Sequence, residues 1–112
     1  MCVTSSTWRW WPSAILMFGL AVAAAAASER SPDTEKLTHL VRQDCGGCHG
    51  LTLKGGLGKP LTAEHLGQWN RDQLTSIILN GVPGTPMPGW RALMSEDEAR
   101  WIADLLKRGT LR

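Results

Sequence analysis

Residues 45–49 carry the most restrictive pattern in the chain: two cysteines separated by two residues and followed at once by a histidine. This C-x-x-C-H spacing attaches a haem covalently, because Cys45 and Cys48 can each add to a vinyl group while His49 faces the iron. A redox dithiol would need a preceding strand in a βαβ setting, and a zinc site about two further Cys or His ligands. Neither pattern is visible. Haem attachment is therefore favoured over a dithiol, half a zinc site or a chance match, provided that the chain is exported.

The first 27 residues predict that export. Arg9 precedes a short apolar run, and three consecutive alanines at its end supply a small-residue cleavage pattern. The run at 13–27 is alanine-rich and shorter than the roughly 20 strongly apolar residues that span a membrane. We expect a cleaved signal peptide at residues 1–27, a mature domain at residues 28–112 in the periplasm, and no membrane association after cleavage. The alternative is a retained anchor, because the three tryptophans of the leader would suit a membrane interface.

The mature chain is a single small domain with little core. A chain of this size buries only about 60% of its unfolded surface and often needs a covalent or metal staple. Cleavage removes Cys2, which leaves Cys45 and Cys48 as the only cysteines, so no structural disulfide is available. One covalently bound haem per chain would be that staple. The whole chain has 12 Lys and Arg against 10 Asp and Glu, and this near balance argues against nucleic acid as a partner.

Apolar spacing predicts an all-α fold, with three main helices plus one short helix around the cofactor. The first helix is expected to begin with Ser31 as its cap and Pro32 in the first helical position, and to run to about Asp44. The haem motif would then lie at its C-terminal end. His39 lies between the apolar positions and is expected to face solvent. The apolar stripe comprises Leu37, Leu40 and Val41.

The remaining helices are predicted from their capping residues. Thr62 caps a short helix that carries His65, which we expect at the surface. Asn70 opens a longer helix with a capping box, and Ser95 opens the last helix in the same way. The predicted buried positions are Leu74, Ile77 and Ile78 in the longer helix and Ala99, Ile102, Leu105 and Leu106 in the last one.

Two irregular loops complete the chain. Residues 50–60 contain four glycines and a proline, which exclude a helix and allow the backbone to approach a flat ligand closely. Four leucines within 51–61 argue against a merely solvated loop. Residues 81–90 hold three prolines and three glycines around Met87. Prolines fix the backbone on both sides of this methionine, as the presentation of a thioether to a metal requires; the alternative is a loop methionine that covers apolar surface. Met94 is expected in the core.

Together, the C-x-x-C-H motif, the later methionine loop and the closing amphipathic helix resemble class I c-type cytochromes over residues 31–108. Residues 45–58 and 81–88 more closely resemble cytochrome c55X of denitrification gene clusters. The resemblance implies a small class I cytochrome c fold around haem c.

It also implies thioether bonds from Cys45 and Cys48, with His49 as proximal and Met87 as distal iron ligand. In this class the proximal histidine donates its other ring proton to a proline carbonyl, for which Pro60 is the candidate.

A six-coordinate iron with His49 and Met87 as ligands has no open position for substrate and favours one-electron transfer. No catalytic motif is visible, so we predict a monomeric periplasmic electron carrier rather than an enzyme. Its redox partner would bind through a small, transient interface of under about 1,200 Å². The cations that could surround this interface are Lys54, Lys59, Arg71 and Arg91.

The resemblance to cytochrome c55X implies electron delivery to cytochrome cd1 nitrite reductase in denitrification. It equally allows a part in maturing the d1 haem of that enzyme. A third hypothesis is a gas-binding or peroxidatic cytochrome in which Met87 is labile, although the surrounding prolines argue against its easy release.

Overall fold

The computed structural model describes residues 31–111, and the predicted signal peptide lies outside this range. The described part of the chain is helical and contains no strand, which confirms the predicted all-α class. In chain order the elements are helix α1 (Thr34–Leu40), a π-helical turn (Val41–Cys45), α2 (Gly46–His49), α3 (Ala63–Leu66), α4 (Arg71–Asn80) and α5 (Glu96–Arg108). None of these helices combines the length and apolar character needed to cross a bilayer.

The start of α1 differs from the prediction. The side chain of Asp33 accepts a hydrogen bond of 3.1 Å from the backbone amide of Lys36. Asp33 is therefore the cap, and both Ser31 and Pro32 precede the helix. A side-chain oxygen must reach the amide three residues ahead to cap a helix, and here the carboxylate that does so follows the proline instead of preceding it.

The first helical run also extends beyond Asp44. It continues through the π-helical turn, at whose end the backbone amide of Gly46 donates to the carbonyls of Val41 and Gln43. A π turn adds a residue to the helical repeat and so rotates whatever follows it relative to the helix before it. Val41 is fully buried, whereas Cys45 is half-buried and Cys48 exposed. The haem motif thus ends the helical run, as predicted, but the π turn rotates the motif about the helix axis relative to α1.

Both predicted capping boxes are confirmed. In α4, the side chain of Asn70 accepts from the amide of Gln73, whose own side chain accepts from the amide of Asn70, at 2.8 and 2.9 Å. Ser95 and Glu98 exchange the same pair of bonds at the start of α5. Each box satisfies amides that the first turn of a helix leaves without partners. The long helices therefore begin where the sequence predicts.

The core lies where α5 packs against α1, α3 and α4. All four predicted apolar positions of α5 are buried. In α4 the prediction is partly wrong, because Ile77 and Ile78 are half-buried while Thr75 and Leu79 join Leu74 inside. The hydroxyl of Thr75 donates to the carbonyl of Arg71, which satisfies its polar group within the helix.

Ion pairs join the outer surfaces of α4 and α5. The guanidinium of Arg71 on α4 lies 3.2 Å from the carboxylate of Asp104 on α5, and that of Arg100 on α5 lies 4.0 Å from the carboxylate of Asp72 on α4. Exposed pairs of this kind contribute about 0–1 kcal/mol each. Arg71, which the sequence suggested as a cation facing a partner, is thus paired within the fold.

Candidate haem-binding site

Cys45 and Cys48 lie on one helical turn, three residues apart, with His49 directly after them. Burial, together with the nearby Asp44 carboxylate, raises the pKa of the Cys45 thiol to about 11. A redox-active dithiol needs a lowered thiol pKa, so this environment is the opposite of that of a thioredoxin-like motif. Within residues 31–111 no three His, Cys, Asp or Glu side chains converge as the ligands of one metal ion would. The arrangement fits thioether attachment better than either alternative.

The imidazole of His49 is held by the backbone. Its Nδ1 lies 2.6 Å from the carbonyl oxygen of Lys59. A carbonyl can only accept, so Nδ1 carries a proton, and in the neutral imidazole Nε2 then has the lone pair that a metal would bind. Such a bond fixes the ring orientation and raises the basicity of the ligand.

The resemblance to class I c-type cytochromes made Pro60 the candidate for this carbonyl, which is wrong by one residue. Proline restricts the residue before it to extended conformations, so Pro60 sets the direction of the Lys59 backbone and does not itself supply the oxygen. The loop is held in place at this point, because the amide of Leu61 donates to the carbonyl of Leu53 at 2.8 Å.

The glycine-rich loop at 50–60 folds back onto the haem motif. The amide of Gly55 donates to the carbonyl of His49 and that of Gly58 to the carbonyl of Cys48, both at 2.8 Å. A Cβ at Gly58 would lie 2.7 Å from both Nδ1 and Cε1 of His49. Real Cβ atoms do not approach other atoms so closely. Glycine is therefore required at 58 for the loop to pack against the imidazole.

The leucines of this loop divide into two groups. Leu53 is buried, and Leu61 packs against the core from a half-buried position. Leu51 and Leu57 are 78% and 82% exposed. The first pair confirms that the loop is not simply solvated, whereas Leu51 and Leu57 do not join the protein core.

Met87 lies on the loop between α4 and α5, and both its backbone amide and its carbonyl are hydrogen-bonded. Its carbonyl accepts from the amide of Val82 at 3.2 Å, and its amide donates to the hydroxyl of Thr85 at 3.3 Å. Its side chain is half-buried. Met94, the competing thioether, is 7% exposed and belongs to the core as predicted. Met87 is thus the methionine that an ordered loop presents.

The other two histidines differ from one another. His39 is exposed on α1, as expected. His65 is half-buried, and its ring centroid lies 5.8 Å from that of Trp69. The expectation of a surface histidine is therefore wrong for His65, because the chain after α3 turns so that the tryptophan packs beside it.

Comparisons with known proteins agree with this geometry. Residues 32–106 match the family described as "Cytochrome C oxidase, cbb3-type, subunit III". The chain is 53% identical to cytochrome c55X of Paracoccus denitrificans (strain Pd 1222), over 83% of this chain and 90% of that protein.

The chain belongs to the cytochrome c55X family. Its fold is also that of a solved structure named c-type cytochrome NirC, with a TM-score of 0.68 and 48% identity, over 71% of this chain and 98% of that one. Dihydro-heme d1 dehydrogenase of Pseudomonas aeruginosa is 33% identical over 75% of this chain, but the match spans only 16% of that protein. A member of the cytochrome c55X family carries covalently bound haem c, and this chain is accordingly an electron carrier with the small all-α cytochrome c fold.

The residues present fit that cofactor. Two thiols lie on one helical turn, and the Nε2 of His49 is free because Nδ1 is occupied by Lys59. Two contributors were not identified from the sequence: the carbonyl of Lys59 and the hydroxyl of Thr85. The signal for Lys59 is its position before a proline. The signal for Thr85 is that serine and threonine hydroxyls bond nearby backbone groups in turns.

Proposed function

We propose that this cytochrome transfers single electrons to cytochrome cd1 nitrite reductase in the periplasm, and that His49 and Met87 would hold the haem iron. A haem iron supplies reversible one-electron chemistry, and methionine ligation raises its potential. The observation that carries the proposal is the bond from His49 to Lys59, supported by the closed loop around Met87. Ligands fixed by backbone hydrogen bonds rearrange little between oxidation states, which suits a carrier. Cleavage of residues 1–27 would release the protein into the periplasm, and N-terminal mass analysis would test that.

The distribution of charge supports a protein partner. Residues 45–63 and 73–95, which contain the haem motif and the methionine loop, include no Asp or Glu. We call these stretches the acid-free segments.

The cations of the acid-free segments differ in whether they are hydrogen-bonded within the fold. Lys54 and Lys59 are exposed on the glycine-rich loop. Arg91 instead bonds the side-chain oxygen of Asn80, at 3.1 and 3.3 Å. Two exposed lysines on a loop that carries no carboxylate fit a transient partner whose binding surface is acidic.

Rapid mixing tests the donor function. The reduced protein is mixed with oxidised cytochrome cd1 nitrite reductase, and its oxidation is followed by absorbance. We expect oxidation at least as fast as the turnover of the reductase with nitrite. Oxidation that is too slow to support turnover would rule out the donor function.

Replacing Met87 by Ala tests the ligand assignment separately. Loss of the thioether should lower the reduction potential and open the iron to carbon monoxide, because the second side chain that would hold the iron is removed. Met94→Ala is the control: it removes a buried thioether and should destabilise the fold without changing carbon monoxide binding. An unchanged potential and spectrum in Met87→Ala would show that another group occupies the position.

The similarity to dihydro-heme d1 dehydrogenase favours a second candidate function. That protein acts, by its name, on a d1-haem precursor. A part of it resembles about three quarters of the present chain. The chain could therefore exchange electrons during maturation of d1 haem. Deleting the gene distinguishes the two functions: an accumulating d1-haem precursor supports maturation, whereas normal d1 haem with slow nitrite reduction supports the donor function.

A further inference from the structure

The loop that carries Met87 has very few backbone donors. Its three prolines, at 83, 86 and 88, have no N–H group. Between Val82 and Pro88 this leaves only four amides, those of Val82, Gly84, Thr85 and Met87. The conformation of the loop must therefore depend on a small number of hydrogen bonds.

Three of these four amides bond within the loop. Val82 donates to the carbonyl of Met87 at 3.2 Å, and Thr85 donates to the carbonyl of Val82 at 3.2 Å. These two bonds close the loop between Val82 and Met87. The third amide, that of Met87 itself, has a side-chain acceptor instead of a backbone one: the hydroxyl of Thr85, at 3.3 Å.

The same hydroxyl also donates to the carbonyl of Val82, at 2.7 Å. It thus joins the two arms of the loop, accepting from the arm that carries Met87 and donating to the arm that leaves α4. The loop also packs closely against Gly81, the residue that follows α4. A Cβ at Gly81 would lie 2.6 Å from the carbonyl oxygen of Met87, so the closed loop rests directly on the end of α4.

We propose that Thr85 is a positioning residue for the iron ligand: its hydroxyl bridges Val82 and Met87 and holds the thioether against displacement. The bridge replaces the backbone bonds that the prolines cannot make. This inference rests on the proposed ligation by Met87 and adds to it the group that determines how firmly the ligand is held.

The test compares Thr85→Val and Thr85→Ser in the haem-loaded protein. Valine keeps the β-branched shape and removes the hydroxyl, whereas serine keeps the hydroxyl. Imidazole is titrated into the oxidised protein, and displacement of Met87 is followed by loss of the weak red absorption band of a methionine–iron(III) bond. One hydrogen bond corresponds to a change of about three- to tenfold in an equilibrium constant. We expect Thr85→Val to bind imidazole more tightly by this factor and Thr85→Ser to stay within about twofold of the parent.

The side chain of Thr85 is exposed, so both variants should fold and load haem. Met87→Ala is measured in parallel, to separate this inference from the ligation on which it rests. If Met87→Ala changes imidazole binding and Thr85→Val does not, the bridge has no positioning role. Equal shifts in Thr85→Val and Thr85→Ser would likewise overturn the proposal, since the hydroxyl would not be the cause. If Met87→Ala itself has no effect, Met87 is not the ligand and the proposal fails with that assignment.

Discussion

Gly47 lies two residues before His49 and Gly58 nine residues after it, and the space around the two glycines differs. Nothing lies within 4 Å of a Cβ built at Gly47, whereas one built at Gly58 meets the imidazole at 2.7 Å. Neither glycine has a positive φ angle. Substitution by alanine therefore tests the space around each residue and not its backbone conformation.

We expect Gly58→Ala to push the loop away from His49 and to weaken the bond to Lys59. Overpacking of this kind costs about 1–3 kcal/mol. The free energy of unfolding of the haem-loaded protein should fall by that amount, and the reduction potential should shift because the imidazole loses its fixed acceptor. Chemical denaturation and redox titration measure the two effects.

Gly47→Ala is the matched control. It introduces the same methyl group into the open side of α2, where alanine is a better helix former than glycine. We expect unchanged haem content and potential, and equal or slightly higher stability. If Gly58→Ala behaves like Gly47→Ala, the close contact between the loop and the imidazole does not exist in the protein.

The residues of the site could be predicted from the sequence only where spacing alone determines their role. Cys45, Cys48 and His49 are adjacent along the chain, so their chemistry can be inferred without a fold. The partner of His49 could not be assigned in this way, because it is a backbone oxygen ten residues away. Its position depends on how the glycines of the intervening loop pack, and a side-chain pattern carries no information about carbonyl direction.

At the scale of single elements, capping decides where helices begin. The boxes at Asn70 and Ser95 were predictable because both partners lie three residues apart. The start of α1 was not, since Ser31 and Asp33 are both good caps and only the structure shows which one bonds an amide. The π-helical turn was also unpredictable, because an extra residue in a helix reflects packing on both sides of it and not a local sequence signal.

Asp33→Ala should lower the free energy of unfolding by about 1 kcal/mol, because the amide of Lys36 loses its acceptor. Asp33→Asn should recover most of the loss, since the amide oxygen can accept the same bond. Guanidinium denaturation of the haem-loaded protein, followed by circular dichroism, measures these differences.

Ser31→Ala provides the comparison, and we expect it to be within about 0.5 kcal/mol of the parent protein. A larger loss for Ser31→Ala than for Asp33→Ala would mean that α1 begins at the position that the sequence suggested.

At the scale of the whole molecule, charge is unevenly distributed although its sum is small. Within residues 31–111 the acidic residues lie on or next to the helices and outside the acid-free segments. An acidic partner would thus meet Lys54 and Lys59 without meeting a carboxylate in the same loop. Association rates are the property that such an arrangement influences most.

Reversing the charge of one lysine at a time tests whether these lysines speed association. We expect Lys54→Glu and Lys59→Glu each to slow association with cytochrome cd1 nitrite reductase about threefold at low ionic strength, with the difference shrinking as salt screens the charges. Lys36→Glu, on the exposed surface of α1, makes the same change in net charge elsewhere. Stopped-flow measurement over a range of salt concentrations should show a smaller effect for it. Equal slowing by all three would assign the effect to net charge and leave the acid-free segments without a role.

The bond between His49 and Lys59 has a consequence for how such a protein can diverge. The group that accepts from the imidazole is a main-chain carbonyl. Any residue that does not disturb the loop can therefore occupy position 59 and still provide this carbonyl. The exposed side chain of Lys59 is free to vary in charge. Mutation at this single position can therefore change partner preference while the iron ligand keeps its hydrogen bond, so that recognition and redox chemistry can evolve independently.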